Sequence, residues 1–226
     1  FSDAGGEYAL HIKDQNSIDA AKAIALDGTG FYAHLHWSPD SKKIAYVDNG
    51  RNLYITTVAT GKTQKVAQDV LYQPGDYRDL FGSWSADGNW LAYTLITNTN
   101  FEQAYVYSLN ENKSYPISDG LSNVTEPTFD PSGKYLYLTA STDAGPVVNW
   151  FDQSNQDMTS SNALYLITLQ KEVKSPFAKE NDVEKIAEAE EEQKEDKKEE
   201  GVPTLKIDWD GIMDRMVSVP VGTGNF

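Results

Sequence analysis

The chain has 226 residues, room for one sizeable core or for one domain with part of another. It carries 34 acids against 19 bases, a formal charge of −15; phosphate-backbone binding needs clustered Lys and Arg, so neither nucleic acid nor an anionic membrane surface is expected as a partner. It has no cysteine, which removes disulfides, thiolate metal sites and cysteine nucleophiles together. No apolar run approaches the roughly 18 residues of a membrane-spanning helix. Phe1 is not followed by a basic-then-apolar leader, so the chain reads as processed or excised. Aromatics at 12%, with 13 Tyr and 16 Gly, lean towards β structure.

Two segments of strand length come first, Tyr8-Ala-Leu-His-Ile12 and Lys22-Ala-Ile-Ala-Leu26. Gly28-Thr29-Gly30 follows as a turn. A unit then recurs three times without gaps: Trp37-Ser-Pro-Asp-Ser-Lys-Lys-Ile-Ala-Tyr46, Trp84-Ser-Ala-Asp-Gly-Asn-Trp-Leu-Ala-Tyr93 and Phe129-Asp-Pro-Ser-Gly-Lys-Tyr-Leu-Tyr-Leu138. The starts lie 47 and 45 residues apart. Each unit predicts an aromatic strand end, a polar turn, and a second strand whose alternate residues share a face. Those pairs are Ile44 with Tyr46, Leu91 with Tyr93, and Leu136 with Leu138. Pro39 presets φ in the turn, Asp40 and Asp87 are placed to accept from backbone N–H groups ahead of them, and Gly88 and Gly133 tolerate positive φ.

A second piece follows each unit. Residues 52–58 lead into 63–66, residues 103–109 into 114–117, and residues 162–169 through Gln170 and Lys171 towards Phe177. Four short strands per repeat, with a period in the mid-forties, is the pattern of a β-propeller blade. On that pattern residues 8–12 and 22–26 are the last two strands of a blade whose first two are missing. The expected fold is all-β, a propeller segment of about three and a half four-stranded blades across residues 1–177. A ring usually takes four to eight blades, so the chain reads as a segment of a larger propeller with an open radial edge.

Residues 179–200 hold 11 acids and 5 bases, a local net of −6. Residues 178–203 therefore read as a solvated acidic linker, disordered or partly helical, or else as a docking arm for a basic partner. In residues 204–226, Leu205, Ile207 and Trp209 alternate with Lys206, Asp208 and Asp210, which predicts a strand with one apolar face. It either begins a second propeller or pairs with an open blade edge, in its own molecule or in a homo-oligomer.

The WSPD and WSADG units resemble the repeats shared by TolB-type propellers and the propellers of serine peptidases. The order that follows is more specific. Ala163-Leu-Tyr-Leu-Ile-Thr-Leu-Gln-Lys171, Ser175-Pro-Phe177, the acidic run, Leu205-Lys-Ile-Asp-Trp-Asp-Gly-Ile212 and Asp214-Arg-Met-Val-Ser-Val-Pro220 resemble the passage from the first to the second propeller of tricorn proteases and their bacterial homologues. The resemblance spans essentially the whole chain. It implies a parent peptide hydrolase with a serine nucleophile in later domains, and a propeller that filters and channels peptides. It also implies the parent's remaining domains as partners, and a cytoplasmic location, or a periplasmic one where a leader has been removed. No catalytic residue is carried over. The other reading is a TolB-like protein-binding module attached to no enzyme.

The chemistry to be sought is accordingly that of contact rather than catalysis. A G-x-S-x-G elbow is absent from the sequence. His34 and His36 share a strand face, where they are either structural or a metal pair; no metal or cofactor is expected. Trp37 and Trp84 hold the first repeat position and are expected in the core, whereas Trp90 replaces the lysine of the first repeat and is expected nearer the surface. Two segments exceed the needs of the repeat. The third blade carries an insertion, Ser141 to Ser161, with Trp150, Phe151, Asp152 and Met158, which packs on a neighbouring domain or binds a peptide or partner. The connection Tyr72 to Phe81 carries Asp76, Tyr77, Arg78 and Asp79 towards the central channel. There the Arg78 guanidinium meets either a peptide carboxylate or an internal Asp.

Overall fold

The computed structural model describes residues 1–26, 30–71, 78–141, 161–178 and 204–224. Its described residues form antiparallel sheets, with one short 3-10 turn and no α-helix. β1 (Ala9–Ile12) and β2 (Lys22–Ala25) make a two-stranded sheet. The first full blade is β3 (Tyr32–Trp37), β4 (Lys43–Asp48), β5 (Asn52–Thr57) and β6 (Thr63–Gln68), paired in that order. The second is β7 (Phe81–Trp84), β8 (Trp90–Ile96), β9 (Glu102–Ser108) and β10 (Lys113–Pro116). The third is β11 (Asn123–Phe129), β12 (Tyr135–Ser141), β13 (Asn162–Thr168) and β14 (Met216–Gly224).

The alternation read from the repeats is what stacks these sheets. Leu91 and Tyr93 of β8 pack on Ala45, Val47, Leu53 and Ile55 of the blade before them. Leu136 and Leu138 of β12 do the same against Ala92, Ala104 and Val106. Ile44 and Tyr46 of β4 face Leu10 and Ile24 of the two-stranded sheet. Each fully buried side chain of this size contributes about 1.5–3 kcal/mol.

The turns between first and second strands share one chemistry. Ser38 and Ser85 donate their hydroxyls to Asp40 and Asp87, both at 2.6 Å, and those carboxylates accept from the N–H of Lys42 and Asn89. In the third blade the two residue types are exchanged: Ser132 donates back to Asp130. The pair survives the swap because each hydroxyl and carboxylate sit two residues apart across the same bend.

The third blade corrects two expectations. Its fourth strand is not drawn from residues 170–177, which form turns, but from β14, beyond the acidic run. Gln170 to Phe177 lacks an alternating apolar face and contains Pro176, which has no N–H for a ladder. Val217 and Val219 are β-branched and supply what that stretch lacks. Residues 204–209 are likewise not a strand but a strap across blades two and three. Leu205 is buried in the core, and its N–H donates to Asp87 Oδ2 at 2.9 Å. The N–H of Asp208 donates to the carbonyl of Leu169, and Arg215 donates to the carbonyls of Thr168, Asp208 and Asp210. The strap alternates in sequence because one side must be buried, yet its hydrogen bonds go to turns and side chains rather than to a neighbouring strand.

Candidate functional site

First strands of neighbouring blades meet, β7 lying against β11 and His36 of β3 stacking on Phe81 of β7, which makes β3, β7 and β11 the inner edge. Gly82 of β7 shows how close they come: a Cβ there would lie 2.4 Å from the carbonyl oxygen of Pro127 in β11. Ser83 bridges the same gap, donating to that oxygen at 3.1 Å and accepting from the N–H of Phe129 at 2.8 Å.

All three inner strands slip register at the same place in the repeat, between Ala33 and His36, between Phe81 and Ser83, and between Thr125 and Thr128. Such bulges re-aim side chains and end pairing locally. Three residues before the repeat aromatic, His34 and Glu126 both adopt left-handed backbone, with φ of 55° and 53°. Glu126 is exposed. Non-glycine residues hold this conformation at a cost of about 1 kcal/mol or more, so the bulge is a maintained feature of the inner wall.

At the junction of blades one and two, Asp79 gathers both histidines. Its Oδ2 lies 2.6 Å from His36 Nε2 and 3.6 Å from His34 Nδ1, while Oδ1 accepts from the N–H of Phe81. The His36 ring stacks on Phe81 at 3.9 Å and 8°. All three polar side chains are about one-third exposed, so the cluster faces solvent. Among the described residues no group of three or more His, Asp or Glu side chains has the arrangement of a metal site.

Arg78 has a different fate. It grips Asp69 in a two-pronged contact, Nε and Nη2 to the carboxylate at 3.0–3.1 Å, and it also donates to Glu102 Oε2 at 2.9 Å, Thr94 Oγ1 at 2.7 Å and the Thr94 carbonyl at 3.0 Å. Asp69 is 2% exposed and accepts the N–H of Ile96 as well. Glu102 is held by burial above the usual carboxylate range, with Arg78 and Thr94 pulling the other way. The guanidinium is therefore committed to the junction between blades one and two, the internal salt link of the two roles open to it. Asp76, Tyr77, Trp150 and Phe151 lie outside the described residues, as do Asp152 and Met158.

The tryptophans divide. Trp84 is buried in the core as expected, with its indole N–H 3.4 Å from the His36 carbonyl. Trp37 departs from the expectation and is 48% exposed. Trp90 lies half-buried, 5.7 Å from Trp209, which stacks flat on Tyr115 at 3.9 Å. Sequence reasoning missed Asp69 and Glu102 as partners of Arg78, and Glu126 as an inner-wall residue. Only Glu126 had a usable signal, its fixed offset before the repeat aromatic.

Comparison with known proteins agrees with this geometry. A family model described as the tricorn protease second beta propeller domain matches residues 1–226. Tricorn protease homolog 1 of Streptomyces coelicolor is 25% identical over 233 residues, covering 100% of this chain and 21% of its own length. The uncharacterized peptidase YuxL of Bacillus subtilis is 24% identical over 125 residues, covering 54% of this chain and 19% of its own. The crystal structure of the tricorn protease superposes with a TM-score of 0.61 at 15% identity, over 91% of this chain and 19% of that one, which supports the fold. The chain thus spans about a fifth of the length of the relatives it matches. The motif order alone reads as the step from a first to a second propeller, whereas the family match runs through the second propeller from Phe1 to Phe226. The chain belongs to the tricorn protease family, as part of its second β-propeller domain.

Proposed function

We propose that this chain is a non-catalytic wall of a tricorn-like serine peptidase, past which peptide substrates or products are filtered and channelled. The observation that carries the reading is the repeated bulge of the inner strands, within which the exposed Glu126 and His34, which meets Asp79, leave the ladder pairing. Family membership supports the setting, since the propeller is part of a larger protease chain.

The test is a charge reversal on that wall in the intact parent protein. Glu126→Arg keeps a long side chain at a left-handed position and is exposed, so the fold tolerates it. Turnover of a basic peptide of about ten residues is expected to fall several-fold relative to an acidic one, while a fluorogenic dipeptide is hydrolysed as before. Equal rates for all three substrates would leave the TolB-like reading, a protein-binding module, as the better one.

A further inference from the structure

The groove between blades two and three is filled by the chain itself. The strap lies in it: the N–H of Leu205 donates to Asp87 Oδ2 and the N–H of Asp208 to the carbonyl of Leu169. Trp209 sets its ring flat on Tyr115, 5.7 Å from Trp90. The groove between blades one and two is its counterpart by repeat position. Lys43 stands where Trp90 does, each six residues after the repeat aromatic. Gln64 stands where Tyr115 does, opposite Ile55 as Tyr115 is opposite Val106. Leu109 corresponds to Leu169, its N–H donating to the carbonyl of Asn89 as that of Leu169 does to Lys134. Where the strap fills its groove, this one holds an open cavity of about 300 Å³.

The cavity also inverts the charge balance of the chain. No Asp or Glu lines it, although the chain carries 34 acids against 19 bases. Lys43, its side chain 23% exposed, reaches from blade one towards blade two, with Nζ 3.4 Å from the Gly88 carbonyl and 3.9 Å from Asp40 Oδ2. Contacts this long leave most of an ammonium's hydrogen-bonding capacity unspent. Lys62 lines the same cavity and makes no ion pair or side-chain hydrogen bond among the described residues. Both acceptors that hold the strap have counterparts here. Asp40 Oδ2 and the Leu109 carbonyl each lack a backbone N–H donor among the described residues.

We propose that this groove docks an extended acidic peptide segment of a partner protein, seated as the strap is seated one junction further on. Two backbone N–H groups of the segment donate to Asp40 Oδ2 and to the Leu109 carbonyl, with the spacing of Leu205 and Asp208 in the strap. The side chain that falls between Lys43 and Gln64, in the place of Trp209, is a carboxylate. The exchange of two aromatic positions selects this occupant. The first groove keeps the strap's backbone acceptors but offers an ammonium and an amide instead of two ring faces. It therefore takes a carboxylate where the second groove takes an indole. Lys62 supplies an ammonium for a second acid of the segment. The proposal is independent of any channelling role.

The test uses the intact parent protein and a fluorescein-labelled peptide carrying the sequence of residues 204–212 with Trp209→Glu, read by fluorescence anisotropy. Saturable binding is expected, about tenfold weaker in Lys43→Gln and about threefold weaker in Lys62→Gln, and weaker throughout as salt is raised. Lys62 is exposed, so its exchange leaves the fold standing. The peptide that keeps Trp209 should bind more weakly than its Trp209→Glu form. A benzophenone at the peptide N-terminus should cross-link to the turns that hold Asp40 and Gly88, mapped by mass spectrometry. No binding, equal affinity in both lysine variants, or cross-links to the turns of Asp87 and Gly133 would overturn the proposal. Carbodiimide coupling of the parent alone should join neither Lys43 nor Lys62 to residues 179–200 or to a second copy. Either link would put the chain's own acidic run in the groove, and so would also overturn it.

Discussion

Two sheet junctions in this chain are built from the same repeat and end differently. Between blades two and three, Phe129 is buried, Ser83 bridges the inner strands, and the strap closes the far side with Leu205. Before blade one, Trp37 stands in the position of Phe129 and is half exposed, because only two strands lie across from it. A propeller residue is thus made core or surface by the neighbouring sheet, not by its own blade. The largest effect should come from testing that directly. Trp84→Ala removes a side chain set in a full core and should lower stability by about 3–5 kcal/mol. Trp37→Ala, chemically the same change, should cost less than about 1 kcal/mol in the 226-residue chain. Urea denaturation of the two variants measures the gap, and equal losses would break the comparison.

The inner edge gives the next contrast. At Gly82 a Cβ would meet backbone and ring atoms of Pro127 at 2.4–3.0 Å, and neither can swing away. Gly82→Ala should therefore destabilise by about 2 kcal/mol through forced separation of β7 from β11. Gly5 provides the control, because a methyl group added there would have no atom within 4 Å. Gly5→Ala should change stability by less than about 0.5 kcal/mol in the same denaturation assay.

Much of this is legible in the sequence, and the exceptions share a cause. Ile44, Tyr46, Leu91, Tyr93, Leu136 and Leu138 declare their face because period-2 alternation and the turn before it are local signals. Strand β14 is hidden because its pairing with β13 spans the acidic run, and nothing local distinguishes a fourth strand from the start of another sheet. The Arg78 partners are hidden for the same reason: Asp69 and Glu102 stand 9 and 24 residues away in sequence, at offsets no motif records. The bulges escape because their register slip is a property of strand pairing, although the offset of His34 and Glu126 from the repeat aromatic is visible.

Asp87 sharpens the comparison at the strap. Burial pushes its carboxyl up, but hydrogen bonds from Ser85 and from the N–H groups of Leu205 and Asn89 together hold it below the usual carboxylate range. The folded pKa is lowered, so the group contributes stability above its unfolded value, near 3.9, and loses that contribution as pH falls through the folded value. Asp87→Asn should cost about 1 kcal/mol at pH 7, and the gap to the unmodified chain should narrow as pH falls below the unfolded value and through the lowered folded one. A gap that stays constant from pH 7 to pH 2 would mean that the carboxylate charge does not hold the strap.

The smallest effect lies in the turn of the incomplete side. Gly88 and Gly133 sit in left-handed backbone at φ of 66° and 71°, and Ser41 occupies the same place in blade one at φ 56°. A side chain there crowds its own carbonyl, which costs about 1 kcal/mol, whereas glycine takes the conformation freely. Against this, glycine adds freedom to the unfolded chain, worth roughly half that amount or more. The Ser41 N–H donates to the Ser38 carbonyl at 2.9 Å through its backbone alone, so substitution keeps that bond. Ser41→Gly should therefore stabilise by up to about 0.5 kcal/mol, and Gly88→Ser should destabilise by about as much. Thermal denaturation of the pair reads the difference, and a loss of stability in Ser41→Gly would show that the Ser41 side chain holds the turn in a way the glycine turns of blades two and three do not need.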